Sequence, residues 1–411
     1  MDNIVSCVDI GSSKVCVIVA KIDASKDMEI IAKAMEQCSG VKKGVIVDID
    51  STANAIKACV NKIRALVNLE IESAYVNIMS AHVNIIPNKS SMNISSQNRE
   101  ISEEDVENIL CEVEKVELAE DRQIIDVIPR QYIIDGCDEI TDPVGMSGVK
   151  LEVEADIISG KITSVQNIIK SMERANLKVE GFVVEALAAS EIALTPEEKE
   201  LGVVLIDVGG GITNVSVIKN KVLVFYESIP VGGDHITNDI SLGLKIPQSE
   251  AEKLKREYEL ALTSLIKNDH EITVNEINES MKKNIKVSEV IEIIEARVFE
   301  IFSLCREMLE RTGNFDGLSG GIVLAGGGIS YIDGNMQLAY EVFDIPVRIA
   351  SHKTLGISKP EFLISVGTAK YISNRIKIGN DSEGTKSLKP KKSNIGQGII
   401  KKIASLFSGL F

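Results

Sequence analysis

The 411-residue sequence predicts an α/β fold of two lobes built on a duplicated βα core, with a small α+β domain inserted into the first lobe. Three observations carry this. Val8-Asp9-Ile10-Gly11-Ser12-Ser13-Lys14 and Leu205-Ile206-Asp207-Val208-Gly209-Gly210-Gly211-Ile212-Thr213 repeat one order, an apolar strand, an aspartate and a glycine turn, nearly 200 residues apart. A third segment, Ile322-Val323-Leu324-Ala325-Gly326-Gly327-Gly328-Ile329, again runs an apolar strand into glycines. A single Asp-x-Gly after a strand is a common way to leave a sheet, but three such elements in order are hard to obtain by chance.

Length and composition agree with more than one domain. The chain is too long for one ordinary core, and 44% of its residues are apolar. The net charge of -15 is uneven: from Tyr371 onward there are eight Lys/Arg against two acidic residues, so the first 370 positions carry about -21. The body therefore repels nucleic acid, while the tail does not repel an anionic surface. Met1-Asp2-Asn3-Ile4-Val5-Ser6-Cys7 has no basic n-region, and no 20-residue apolar run follows, so neither a signal peptide nor a membrane span is expected and the chain reads as cytoplasmic. Seven cysteines without a Cys-x-x-Cys pair read as buried free thiols in a reducing compartment, and four histidines without ligand spacing make no side-chain metal site.

Taken in order, Ile4 to Ala20 suits a hairpin in a buried sheet, Ser51 to Asn68 repeats apolar residues at helical spacing, and Ala74 to Met79 returns to a strand. Residues 1–84 and 162–197 then form the first lobe's core and 85–161 the inserted domain. The insertion holds an acidic helix, Ser102 to Glu117, and two extended segments, Gln123 to Pro129 and Gln131 to Asp135. A loop, Asp142-Pro143-Val144-Gly145-Met146-Ser147-Gly148, follows them. Two helices flank a strand between Thr163 and Leu194. Residues 198–228 and 308–374 make the second core, with 229–307, largely helical and charged, as its own insertion.

Residues 375–393 form a polar, Gly/Ser/Lys-rich linker with a typical reach of about 25 Å. Residues 394–411 are periodic again. Ile395, Ile399, Ile400, Ile403, Leu406, Phe407, Leu410 and Phe411 fill an arc of roughly 160°, with Gln397, Lys401, Lys402, Ser405 and Ser408 opposite. The polar arc forbids spanning, and a helix that packs on its own domain needs no such leash, so the tail reads as a membrane-surface helix for anionic lipid. One tail binds marginally, and several held together bind far better.

Each Asp-x-Gly copy reads as half of a phosphate clamp. Glycines let backbone N–H groups close on phosphate oxygens, hydroxyls and Lys14 add donors, and the aspartates can hold a hydrated divalent cation. The arrangement resembles the actin-like ATPase superfamily, whose lobes are ribonuclease H-like halves, and within it the bacterial cell-division FtsA family. The inserted Asp142 to Gly148 loop, the Gly232-Gly233-Asp234-His235-Ile236-Thr237-Asn238-Asp239-Ile240 segment and the basic linker with its amphipathic terminus carry the narrower likeness.

That resemblance implies a protein that binds ATP and Mg2+ between the lobes and polymerises with itself at the inner face of the cytoplasmic membrane. It implies, further, that the chain anchors the tubulin-like division protein FtsZ and recruits later division proteins through the inserted domain. Asp9 and Asp207 would orient magnesium through its water shell. Gly11, Ser12, Ser13, Lys14, Gly209, Gly210, Gly211 and Thr213 would hold the phosphates. Gly233, Glu252, Lys255, Gly326 and Gly327 would surround the nucleotide. Glu185 would position the attacking water, its alternative being a helix-start carboxylate stabilised by the dipole. Arg297 would contact the FtsZ tail, its alternative being a solvated helix arginine.

Ala186 stands where the family usually has proline, and Asn214 where an aspartate commonly ends the second glycine segment; neither removes a phosphate-binding group, but both make the rate of hydrolysis unpredictable, and the resemblance implies at most a slow ATPase. The alternatives are a PilM-type pilus assembly protein or a sugar- or acetate-kinase-like phosphotransferase. No phosphoryl-acceptor motif supports the latter.

Overall fold

A computed structural model describes residues 3–96, 98–276, 282–351 and 359–375. The linker beyond Arg375 and the amphipathic segment, with Ile399, Ile400, Lys401, Lys402, Ile403, Leu406, Phe407, Leu410 and Phe411, lie outside the described residues.

The first lobe opens with β1 (Asn3–Ile10), β2 (Lys14–Ile22) and β3 (Met28–Gln37), then a two-residue hairpin of β4 (Val41–Lys42) and β5 (Val45–Ile46). α1 (Ile49–Val67) and β6 (Ser73–Ile78) follow. Asp48 starts α1 by accepting a hydrogen bond from Ser51 N–H, and Asn68 ends it in the left-handed conformation. The inserted domain comprises β7 (Val83–Asn93), α2 (Glu103–Val113), β8 (Arg122–Ile134), β9 (Cys137–Ile140) and β10 (Lys150–Lys161), in the strand order β7-β10-β8-β9. α3 (Ile162–Arg174), β11 (Lys178–Val184) and α4 (Glu185–Ala193) return to the lobe.

The second lobe is made of α5 (Pro196–Leu201), β12 (Val203–Val208), β13 (Thr213–Lys219), β14 (Val222–Ile229), α6 (Gly233–Leu244) and α7 (Gln248–Tyr258). β15 (Glu271–Asn275), β16 (Lys282–Lys286), α8 (Val287–Arg311), β17 (Ile322–Ala325), α9 (Asn335–Phe343) and β18 (Val347–Ile349) complete it, and the last helix, α10 (Leu363–Arg375), returns to pack on α4 and the first lobe's β1 and β2.

The duplication is visible in the pairing. One sheet runs β3-β2-β1-β6-β11 and the other β14-β13-β12-β17-β18, each with an antiparallel meander followed by two parallel neighbours. Asp9 pairs with Cys16 and Asp207 with Asn214, so each aspartate is the penultimate residue of its lobe's first strand and faces the same turn. The central strands are buried on both faces, which is why they read as continuous apolar runs. α4 and α10 pack closely against each other, and a Cβ on Gly367 would lie 2.0 Å from the Ala188 carbonyl oxygen, so only glycine permits that approach.

Two readings need correction and one, the largely helical second insertion, gains a detail. The two extended segments around Pro129 are one strand, β8, because a bulge across Glu154/Ala155 takes up Arg130 and the proline needs no ladder donor there. The second insertion contains the antiparallel hairpin β15–β16 as well as helices. Arg375 is not linker: it ends α10, donating to Asp126 Oδ2 at 2.7 Å, to the Tyr371 hydroxyl at 2.6 Å and to the Val127 carbonyl at 3.1 Å.

Candidate functional site

An open cavity lies between the lobes at the ends of β1, β12 and β17. The first turn is closed by Gly11 N–H on the Lys14 carbonyl at 3.0 Å, and the second by Gly209 N–H on the Ile212 carbonyl at 2.9 Å. The two turns meet face to face. A Cβ on Gly210 would fall 2.1 Å from Ser13 Oγ, and one on Gly211 would lie 3.1 Å from Ser12 Cβ.

The third glycine segment locks onto the second. Gly328 N–H donates to the Val208 carbonyl at 2.8 Å, and at the start of α6 Gly233 and Asp234 N–H donate to the Gly209 and Gly210 carbonyls at 2.9 and 2.8 Å. Gly326 has φ +93°, and a Cβ there would lie 2.3 Å from Asp207 Oδ1, so glycine is required both for conformation and for space.

Of the residues the sequence points to, Asp9, Gly11, Ser12, Ser13, Lys14, Glu185, Asp207, Gly209, Gly210, Gly233, Glu252, Lys255, Gly326 and Gly327 all line this cavity. Gly211 sits just beside it, against Ser12. Thr213 is a correction: it is fully buried in β13 and its hydroxyl donates to the Val231 carbonyl at 2.8 Å, so it cannot serve the cavity. Arg297 lies elsewhere, in a groove between α6 and α8. There its Nε donates to Asp239 at 2.5 Å and a second donor pairs with Glu300, so it is ion-paired on both sides while about a quarter of its side chain stays exposed, 24%.

The electrostatics of the cavity are those of three buried carboxylates beside one lysine. Burial, then the nearby Asp207 charge, pushes the Asp9 carboxyl up to about 7 against the opposing pull of Lys14. Burial raises Asp207 to about 6, again opposed by Lys14. Glu185 is raised well above the carboxylate range by burial and by both aspartates, with a hydrogen bond from Asn214 opposing. Its Oε2 is buried without a partner. Asn214 is itself held by Ser228 Oγ at 2.6 Å. Lys14 lies 3.6 Å from Glu361.

At the other end Lys255 is almost fully buried, donating to the Gly233 carbonyl at 3.0 Å and to Thr237 Oγ1 at 2.6 Å while pairing with Glu252 at 2.5 Å. Burial holds its ammonium below the ordinary lysine value. Among the described residues, no group of three or more His, Cys, Asp or Glu side chains converges closely enough to hold a metal ion directly.

Sequence reasoning missed Asp234, Arg256 and Glu361, which also line the cavity. Arg256 is one helical turn after Glu252, bonded to it at 3.0 Å, and stacks 3.9 Å over the Tyr331 ring. That i,i+4 spacing was a usable signal. Glu361 had none, since it reaches the site only through the path of α10.

Comparison with known proteins places this geometry. The family model "Cell division protein FtsA" matches residues 204–367, and the "SHS2 domain inserted in FTSA" matches 80–159. The chain is 37% identical to Cell division protein FtsA of Bacillus subtilis over 378 residues, 92% of this chain and 85% of that one. It is 30% identical to the FtsA of Borreliella burgdorferi over 415 residues, covering 100% and 98%. The chain belongs to the FtsA family.

Solved structures extend the likeness to the fold. The PilM-PilN type IV pilus biogenesis complex aligns with TM-score 0.57 at 14% identity, covering 89% of this chain and 97% of that one. MreB5 of Spiroplasma citri bound to ADP gives 0.54 at 18%, covering 92% and 99%. This FtsA-family chain thus has the actin-like two-lobe fold with an SHS2 insertion, and the PilM likeness extends to architecture alone. Among the described residues no helix is long and apolar enough to cross a membrane.

Proposed function

We propose that this FtsA-family chain binds Mg-ATP in the inter-lobe cavity and uses it as an assembly switch in cell division. The observation that carries the reading is the meeting of the two glycine turns, from equivalent hairpins of the two lobes, over buried Asp9 and Asp207. The residues fit the group. Glycine positions without room for a Cβ let a ligand approach the backbone closely, and three buried acids served by Lys14 are relieved by a divalent cation. Asp9 and Asp207 would hold magnesium through its water shell, and Ser12, Ser13, Lys14 and the Gly209 to Gly211 backbone would hold phosphate oxygens. Magnesium would neutralise phosphate charge there. Glu185, its orphaned oxygen facing the cleft, would orient water for a slow hydrolysis.

Closure of the lobes joins successive subunits at the inner face of the cytoplasmic membrane, at the division site. The terminal helix of residues 394–411 then anchors the polymer to anionic lipid and so tethers FtsZ. The FtsZ tail binds along the Arg297 groove, displacing Asp239 or Glu300 from the guanidinium, and the inserted domain recruits later division proteins.

Two measurements test this. Asp207→Ala weakens Mg-ATP by about 10- to 100-fold in a fluorescent-nucleotide titration, the loss of one charge-assisted contact; unchanged affinity refutes the clamp. Deleting Ile395 to Phe411 abolishes pelleting with anionic liposomes while nucleotide binding persists, and equal pelleting of both forms ends the anchor reading.

A further inference from the structure

The β4–β5 hairpin lies outside every glycine segment the sequence singles out, yet its tip sits on the cleft. Its turn residues Lys43 and Gly44 have φ of +48° and +71°, the left-handed pair that a tight two-residue hairpin needs. Three contacts seat this tip. Gly44 N–H donates to Ser12 Oγ at 3.0 Å. A Cβ on Gly44 would fall 1.5 Å from Sδ of Met79, which lines the cavity, so the backbone is pressed onto the cavity wall. A Cβ on Gly211 would lie 3.9 Å from Lys43 N, so a first-lobe hairpin reaches the second lobe's turn. The base is pinned as well: Val47 and Asp48 N–H both donate to the Gly40 carbonyl, at 2.8 and 3.1 Å.

We propose that this tip belongs to the phosphate-recognition machinery. Gly44 N–H directs the Ser12 hydroxyl proton into the cleft, and Lys43 reads the outermost phosphate of a nucleoside triphosphate at the seam between the two turns. The inference rests on the nucleotide reading above. A serine hydroxyl has one proton and two lone pairs; with Gly44 N–H on a lone pair, the proton is left for an anion. Lys43 is exposed, so its flexible ammonium can swing onto a phosphate at little desolvation cost. The inner lysines are already partnered, Lys14 beside Glu361 and Lys255 against Glu252. A triphosphate differs from a diphosphate only by its outermost phosphate, so a contact made to that group shows as a difference between the two. Lys43 therefore sets discrimination between triphosphate and diphosphate, and Gly44 is a positioning residue acting through Ser12.

The test titrates the full-length chain and its Lys43→Ala, Lys43→Arg and Lys42→Ala variants with fluorescent ATP and ADP analogues in the presence of Mg2+. Lysine and alanine both carry a Cβ, so the turn is equally strained in each. Lys43→Ala should weaken ATP about tenfold and ADP less than twofold, the loss of one charged contact. Lys43→Arg should restore most of it, and Lys42→Ala should leave the ATP/ADP ratio unchanged. Equal weakening of both nucleotides, no weakening, or an equal shift in the ratio from Lys42→Ala overturns the inference while the nucleotide reading stands. Wild-type protein that binds neither nucleotide refutes that reading, and this one with it.

Discussion

The two insertions in the duplicated core are built on opposite terms. The outer part of the SHS2 domain has its own hydrophobic cluster, in which Ile109, Leu110 and Val113 of α2 pack on Val127, Leu151, Val153 and Ile157 of the sheet. The sheet's base, through Val83, Ile125 and Ile158, joins the first lobe's core. In the second lobe Ile236, Ile240, Ile294, Ile301 and Phe302 of α6 and α8 share one core with Val204, Ile206 and Leu324 of the central strands. One duplicated sheet has accepted a nearly self-contained module on one side and a structural wall on the other. The first insertion can loosen without disturbing the cleft; the second cannot.

The largest effect should therefore come from Phe302→Ala, which empties the shared core. It should cost about 3–5 kcal/mol in urea denaturation and lower nucleotide affinity with it. Ile109→Ala, about 2–5 kcal/mol by the same mechanism, should instead speed amide exchange across residues 83–161 and leave nucleotide affinity alone. If Ile109→Ala released the whole chain in one transition, the contrast between the insertions would be lost.

A smaller effect compares the two aspartates. In the folded chain Asp9 holds its proton up to about 7, against 3.8 for an ordinary aspartate, so the folded state binds more protons than the unfolded one between those values. Its contribution to the stability of the nucleotide-free protein is present at the acid end and is lost as pH rises through about 7. Asp9→Asn should flatten that fall by an amount on the order of a few kcal/mol, read as melting temperature between pH 4 and 8. A fall as steep as in the wild type would move its source to Asp207 and Glu185.

The smallest effect tests the joint between lobe and module. The Tyr226 hydroxyl donates to the Val83 carbonyl at 3.0 Å and accepts from Ile85 N–H at 3.1 Å, tying β14 to the root of the inserted domain. Tyr226→Phe should cost about 1 kcal/mol, raise exchange at the start of β7 and leave nucleotide affinity unchanged.

What was legible in the sequence was what is local along it. The glycine turns could be read because strand, aspartate and glycine are consecutive, and α1 and α2 because their caps and apolar spacing lie within a few residues of one another. Thr213 was misjudged because one step along a strand reverses the facing of a side chain, and its register partner Val208 was not visible. The continuity of β8 through Pro129 depended on a bulge opposite a strand some 25 residues away, which no local pattern marks.

The sequence by itself determined the duplicated βα core, the two glycine turns that follow its paired aspartates and the contrasting charges of body and tail. Each of these is written in residue type and spacing. Only the tertiary structure decided which groups share the cleft: Glu361 brought beside Lys14 from over 340 positions away, Arg256 laid over Tyr331, and the Lys43-Gly44 tip seated on Ser12. The reason is that chain order fixes hydrogen bonding within a turn or helix. Burial and the pairing of charges, by contrast, depend on which distant surfaces the packed core brings together.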